Sequence, residues 1–194
     1  MTRILVIGAN GQLARNTTPF LLEQPEVELT LYLRRSSRLG NPDPARVRII
    51  EGDATDVRVL TDAMADVDVV YANLAGDMKR QAKCIAQAMK ASGVRRLIFI
   101  SSMGIYDEVP GQRYDRILDP YRDSARVVEE SDLDYTVLRP GWFRRGRSVP
   151  VALTQKGEPF VGHDVTLDGL SELLAQIATT PGLHVRQSIG VSDA

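Results

Sequence analysis

The chain has 194 residues, 43% hydrophobic and 25% charged, a composition that allows one well-buried core and leaves little for a second. Lysine and arginine number 24 against 25 aspartates and glutamates, and the net charge of -1 implies no global attraction to nucleic acid or an anionic membrane. The single cysteine, Cys84, excludes an intrachain disulfide. In a helical run with Ile85 and Met89 it reads as a buried structural thiol, which suits a cytoplasmic setting.

Strand-like and helix-like segments alternate along the chain. Arg3–Ile7 is a short β-branched run ending at Gly8, the pattern of a buried strand, and it is too short for a signal-peptide core. Leu13, Thr17, Phe20 and Leu21 recur at helical spacing. Glu28–Leu33 is a second strand, and Arg35–Ala45 carries too many breakers for a long helix. Val47–Glu51 is a third strand, followed by a helix near Val57–Ala65 and a fourth strand over Asp68–Asn73. Lys79–Ala91 is a helix with Gly93 as its stop. Leu97–Ser101 is a fifth strand. A polar loop from Met103 to about Asp119 is expected to lie outside the buried structure and to wall a site. A helix near Tyr121–Ser131, a sixth strand over Tyr135–Leu138, a last helix marked by Leu167, Leu170, Leu174 and Ile177, and a strand at Ser188–Val191 complete the series. No stretch approaches the length of a membrane span. This alternation predicts one doubly wound, mainly parallel α/β domain over residues 1–194, with ligands beyond the carboxyl ends of its strands.

The first strand runs directly into Gly8-Ala9-Asn10-Gly11-Gln12-Leu13-Ala14. A sharp strand-to-helix turn that admits a pyrophosphate needs glycine, both for its dihedral freedom and for its missing side chain. Gly8 would make the turn and Gly11 would lie under the phosphates. Asn10, Gln12 and Leu13 complete the candidate cradle at the positive end of the helix. The spacing G-x-x-G-x-x-A differs from the dehydrogenase fingerprint G-x-G-x-x-G, and a plain strand–helix turn is the rival reading.

With this turn, four further pieces stand at strand ends: Glu51-Gly52-Asp53-Ala54-Thr55-Asp56, Asn73-Leu74-Ala75-Gly76, Ile100-Ser101-Ser102-Met103-Gly104-Ile105-Tyr106 and Tyr135-Thr136-Val137-Leu138-Arg139-Pro140-Gly141. In their order and placement they resemble the short-chain dehydrogenase/reductase superfamily. The resemblance is to its atypical NAD(P)-binding members, related to NmrA-like proteins, flavin/biliverdin reductases and sugar-nucleotide epimerases. It implies that Asp53 and Ala54 sit at the adenine and that Asn73, Leu74 and Ala75 run along the ribose and phosphates. Ser101 would lie near the nicotinamide, and Ser102 would match the catalytic serine. Tyr121 would match the catalytic tyrosine, and Pro140, Gly141, Trp142 and Phe143 would line the nicotinamide pocket. Each role has a structural rival. Asp53 could cap a helix, and for Asp56 capping is preferred. Asn73 could serve only the turn, Ser101 and Ser102 could satisfy local backbone groups, and Trp142 and Phe143 could be core.

The second strand ends in Tyr32-Leu33-Arg34-Arg35, with no carboxylate where one would accept from an adenosine 2′-hydroxyl. Arginine there suits a 2′-phosphate, so NADP(H) is expected over NAD(H). The family's hydride chemistry typically pairs the tyrosine with a lysine four residues on, and here that position is Ala125. Arg122 and Arg126 do not stand at that spacing. The carbonyl/alcohol mechanism is therefore in question, whereas reduction of a flavin-like or other conjugated acceptor needs mainly orientation of the partners. The primary expectation is an NAD(P)H-dependent oxidoreductase acting on a small molecule, without metal, nucleic-acid or membrane partners. A cofactor-binding sensor without turnover and a sugar-nucleotide epimerase-like enzyme are the alternatives. The basic cluster Arg144-Arg145-Gly146-Arg147 could hold a substrate phosphate or carboxylate or could be solvated loop, the latter preferred.

Overall fold

A computed structural model describes Met1–Ala194, all but the side chain of Arg38. Ten strands and five helices follow one another: β1 (Thr2–Ile7), α1 (Gln12–Leu22), β2 (Val27–Leu33), β3 (Val47–Glu51), α2 (Val57–Ala63), β4 (Val69–Ala72), α3 (Met78–Ser92), β5 (Arg96–Ile100), α4 (Asp119–Glu129), β6 (Asp134–Pro140), β7 (Trp142–Arg144), β8 (Val151–Gln155), β9 (Asp164–Thr166), α5 (Leu167–Thr179) and β10 (Gln187–Asp193). Short 3-10 turns at Ser36–Arg38 and Arg116–Leu118 interrupt the two breaker-rich loops.

Eight strands form one sheet in the order β3-β2-β1-β4-β5-β6-β10-β8. All neighbours are parallel except β10 and β8, so the expected mainly parallel α/β architecture is present. Strand β1 shows why its sequence is apolar at every step. Ile4 and Val6 enter one core with α1 and α5, while Leu5 and Ile7 enter another with α2, α3 and α4. A strand covered on both faces cannot alternate with polar residues. The sequence order reverses across β1, with β2 on one side and β4 on the other. The carboxyl ends on either side of such a reversal diverge into a crevice, where open α/β sheets place ligands.

Local signals hold at the helix ends. Asp56 caps α2 through a 3.1 Å bond accepted from Val59 N–H, as preferred for it, and Gly93 ends α3 in the left-handed region at φ 80°. Cys84 is half-buried against the second core, rather than fully enclosed.

The chain beyond β6 departs from expectation. Three strands there carried no clear period in the sequence. Strands β7 and β9 pair in a separate two-stranded sheet, and β8 forms the antiparallel edge of the main one. The loop after β5 also departs. Met103, Gly104, Ile105 and Val109 are buried, so its first half is interior structure, not a solvated wall. Glu108 holds it there, accepting from Gly104 N–H at 3.1 Å and Tyr106 N–H at 2.8 Å, and pairing with the fully buried Arg139.

Candidate functional site

The turn after β1 is built against the end of β4. Gly8 has φ 79°, and a Cβ placed on it would overlap the Asn73 carbonyl oxygen. Glycine is required there by both dihedral and space. Asn73 N–H in turn donates to Ile7 carbonyl oxygen at 2.9 Å. Gly11 is tied into the same turn. Its N–H donates to Gly8 carbonyl oxygen at 2.9 Å, closing the turn, and a Cβ on it would meet the Asn73 side-chain amide. A side chain at Gly11 would displace the Asn73 amide that crosses it, and the Gly11 N–H is already used.

The donors left for an anion are those of the first turn of α1, which has neither a side-chain cap nor an acidic residue. The opening N–H groups of an α-helix lack intrahelical partners, and the helix dipole adds about 0.3–1 kcal/mol for an anion there. Leu13 is fully buried, so only its backbone can face a ligand. This arrangement fits the diphosphate of a dinucleotide: Gln12 and Leu13 would hold it through backbone N–H, with Asn10 at the lip.

Around the turn lies a cleft of about 520 Å³. It gathers Gly8, Asn10 and Gly11 from the turn, Arg34 and Arg35 from the end of β2, Asp53 and Ala54 after β3, and Asn73, Leu74 and Ala75 after β4. Ten candidates from four separate stretches of sequence thus share one cavity. Sequence reasoning missed Tyr32, Gly52 and Gln81, which also line it. Gly52 leaves room for the Tyr32 ring, whose hydroxyl donates to Asp53 carbonyl oxygen at 2.9 Å. Burial, together with the nearby Asp56 and Asp53, pushes the Tyr32 phenol up to about 12, so it remains a donor at neutral pH. Gln81 reaches from α3 to Ala75 carbonyl oxygen at 2.9 Å.

The charges of the cleft are ordered. Asp53 accepts from Thr55 N–H at 2.8 Å and Thr55 Oγ1 at 2.7 Å, and these bonds hold its carboxyl below the usual range, with Arg34 and Arg80 assisting. Glu51 accepts from Ser36 N–H at 2.6 Å and Oγ at 2.5 Å, which lowers its carboxyl likewise. Arg34 and Arg35 are exposed and form no ion pair among the described residues. Two guanidinium groups on the wall of the cleft are therefore available to a ligand.

The other candidates lie outside this cleft. Gln12 lines a second cavity. Ser101 is buried and donates to Tyr121 carbonyl oxygen at 3.3 Å, and Ser102 Oγ donates to Met103 carbonyl oxygen at 3.1 Å. The Ser102 contact is the local one of its rival reading, whereas Ser101 ties the end of β5 to α4, 20 residues on. Tyr121 is half-buried near the start of α4, and Ala125 is completely buried where α4 faces α3. The position a catalytic lysine would take is thus part of the core. Pro140 and Gly141 are buried, with Gly141 pressed against the His163 carbonyl by the β7–β9 pairing. Trp142 is 64% and Phe143 38% exposed, so neither is core.

The sequence profile of the NAD(P)H-binding family matches residues 8–181. A Rossmann-fold NAD(P)-binding family protein from Shigella flexneri superposes with a TM-score of 0.88 at 35% identity, over 100% of this chain and 96% of that one. A short-chain dehydrogenase/reductase from Veillonella parvula, solved in complex with NADP, superposes with a TM-score of 0.88 at 27% identity, over 99% and 94% of the two chains. A curated relative from Streptomyces griseus, (4-alkanoyl-5-oxo-2,5-dihydrofuran-3-yl)methyl phosphate reductase, is 29% identical over 140 residues, which cover 72% of this chain and 48% of that protein. The present chain therefore spans about half the length of that reductase. With a profile match running from the phosphate turn into the loop after the last helix, the protein belongs to the NAD(P)H-binding family, as an atypical short-chain dehydrogenase/reductase-like member.

Proposed function

We propose that the chain binds NADP(H) in preference to NAD(H) and reduces a conjugated small-molecule acceptor. The observation that carries the cofactor preference is the pair Arg34 and Arg35 on the cleft wall, with the nearest carboxylates already engaged by Ser36 and Thr55. A planar guanidinium holds a phosphate through two parallel hydrogen bonds, and such charge-assisted bonds are the stronger kind. The NADP bound to the Veillonella neighbour supports this reading.

The burial of Ala125 supports the acceptor class. The position four residues after Tyr121, where a lysine would assist it as a general acid, is this alanine. Addition of hydride to an extended π-system spreads the developing charge over the acceptor and asks less of a protein acid. A reduced nicotinamide supplies the hydride when bound. The turn, the β4 end and the arginines fix its position, and Ser102 and Tyr121 offer polar contacts to the acceptor. The name of the Streptomyces reductase, a phosphate ester of an unsaturated lactone, points the same way.

NADPH consumption followed across flavins, quinones and enones tests the reading. Turnover of at least one class at rates well above those for simple ketones and aldehydes is expected. Tight NADPH binding with no consumption by any acceptor would contradict it and favour a sensor that binds without turnover.

A further inference from the structure

The two outer strands of the main sheet guard their free edges differently. Strand β3 carries the exposed charges of Arg48 and Glu51, and Asn41 Nδ2 covers the Val47 carbonyl oxygen at 2.9 Å. Features of this kind keep an edge from pairing with another chain. Strand β8, Val-Ala-Leu-Thr-Gln at the opposite edge, contains no charged residue, proline or glycine. Its ladder with β10 shows which backbone groups are free. Ala194 N–H donates to Pro150 carbonyl oxygen at 2.9 Å, one step beyond the Asp193–Val151 pair. Antiparallel pairs alternate between hydrogen-bonded and non-hydrogen-bonded. Ala152 and Thr154 therefore turn their N–H and C=O groups toward β10, and Val151, Leu153 and Gln155 turn theirs outward.

Glu158 closes the groups of Gln155, accepting from its N–H at 2.8 Å and donating from its own N–H to the Gln155 carbonyl oxygen at 3.2 Å. The outward groups of Val151 and Leu153 have no partner among the described residues. They are self-complementary. In an antiparallel pairing centred on Ala152, Val151 stands opposite the partner's Leu153, and Leu153 opposite the partner's Val151. Each opposed pair exchanges both N–H···O bonds, so every free group finds a mate and the occupied Gln155 is left outside the ladder. The same register lays Leu153, 38% exposed, beside the partner's Val151 on the face where Val151 packs against the core of α1 and α5. On the other face stands Val161, 54% exposed, whose carbonyl oxygen accepts from Ser192 Oγ at 2.6 Å; Ser192 opposes Ala152 in the ladder. Charges beyond the ladder match as well. Arg147 before β8 and Glu158 after it are exposed and form no ion pair among the described residues, and antiparallel pairing brings each toward the other's copy across the axis.

We propose that two copies of the chain pair through β8 about a two-fold axis at Ala152, so that their main sheets become one. A contact of this self-complementary kind closes with two copies. Sedimentation equilibrium over a range of concentrations tests it, and the parent is expected at twice the mass of the chain, falling to the monomer on dilution. Leu153→Pro removes an outward N–H that β10 does not use, a change that a strand edge tolerates. It is expected to raise the dimer dissociation constant at least about tenfold, the effect of losing a hydrogen bond on each side of the axis. Leu153→Lys, which sets a charge on the edge, should weaken the dimer likewise. Both variants should keep the far-ultraviolet circular dichroism spectrum of the parent.

Cross-linking reads the register. Ala152 and the partner's Ala152 form a non-hydrogen-bonded pair with Cα atoms about 4.5 Å apart, a span that a disulfide bridges. In a Cys84→Ser background, Ala152→Cys is expected to give an interchain disulfide on mild oxidation. Leu153→Cys is not, because its two copies lie on either side of the axis with Cα atoms more than about 7 Å apart. A parent protein that is monomeric at every concentration would overturn the proposal. So would a dimer that survives both Leu153→Pro and Leu153→Lys, which would put the contact on another surface. A dimer that cross-links through Leu153→Cys and not through Ala152→Cys would overturn the register and with it the pairing of the free groups.

Discussion

Replacing Arg139 with methionine is expected to destabilise the fold by about 3–5 kcal/mol, the cost of leaving a buried charge without its partner. Arg139 has no exposed surface, and Glu108, to which it is paired, is 5% exposed at its side chain. The guanidinium is otherwise well satisfied. Nε donates to Ser188 Oγ at 3.2 Å, and Nη2 reaches Ser188 and Thr154 carbonyl oxygens at 3.3 and 3.4 Å. It also lies 5.1 Å from the centre of the Tyr106 ring. Removing it strands the Glu108 carboxylate, which holds Gly104 and Tyr106 N–H in the loop after β5. Chemical denaturation measures the loss. Combining Arg139→Met with Glu108→Met should recover the part of the loss due to the stranded charge and not the part due to Gly104 and Tyr106 N–H, which lose their acceptor. A single-variant loss under about 1 kcal/mol would show that the pair contributes little to the fold.

Ala125→Lys restores the tyrosine–lysine spacing of the superfamily and is expected to damage the protein instead of improving it. Ala125, on α4, is fully buried in the core that α4 shares with α3 and the sheet. A lysine there must either lose its charge or open the core around it. A depression of 3–5 pKa units on full burial corresponds to about 4–7 kcal/mol, comparable to the whole stability of many domains. The sign with pH follows. The folded pKa of the new lysine lies below its unfolded value of about 10.4, so the unfolded chain binds the extra proton between the two. Stability of the variant relative to the parent should therefore rise with pH through that window and level off above it. A variant as stable as the parent at pH 7, or one that gains carbonyl reduction, would contradict the placement of this position in the core.

The parts of the fold legible in the sequence are those governed by short-range rules. A strand buried on both faces must be apolar throughout, as Ile4–Ile7 is, and a glycine turn followed by a helix can be read from a few residues. Asp56 and Gly93 declared the helix ends by local chemistry. The candidates at four strand ends share a cleft because the topology brings strand ends together, and the order of segments implied that topology.

What escaped depends on distant partners. Glu108 in a polar loop reads as solvated until Arg139, 31 residues away, is placed beside it. Strands β7, β8 and β9 are three to five residues long with exposed positions, and their pairing comes from segments well removed in sequence. Gln81 stands on the polar side of a helix and gave no signal of reaching Ala75. The crossing of Gly11 by the Asn73 amide joins residues 62 positions apart and leaves no mark in the sequence around either.

The most direct measurement of the central claim is equilibrium binding of NADPH and NADH to the parent protein and to Arg34→Ala. A phosphate held by charge-assisted hydrogen bonds gains about 1.5–3 kcal/mol, so NADPH should bind roughly 10–100-fold more tightly than NADH. Arg34→Ala should shrink that gap while leaving NADH affinity nearly unchanged, the result required by the proposal that Arg34, on the cleft wall, holds the 2′-phosphate. Equal affinities in the parent protein, or a gap that survives the substitution intact, would contradict the assignment of Arg34. Failure of both nucleotides to bind would contradict the cofactor site itself.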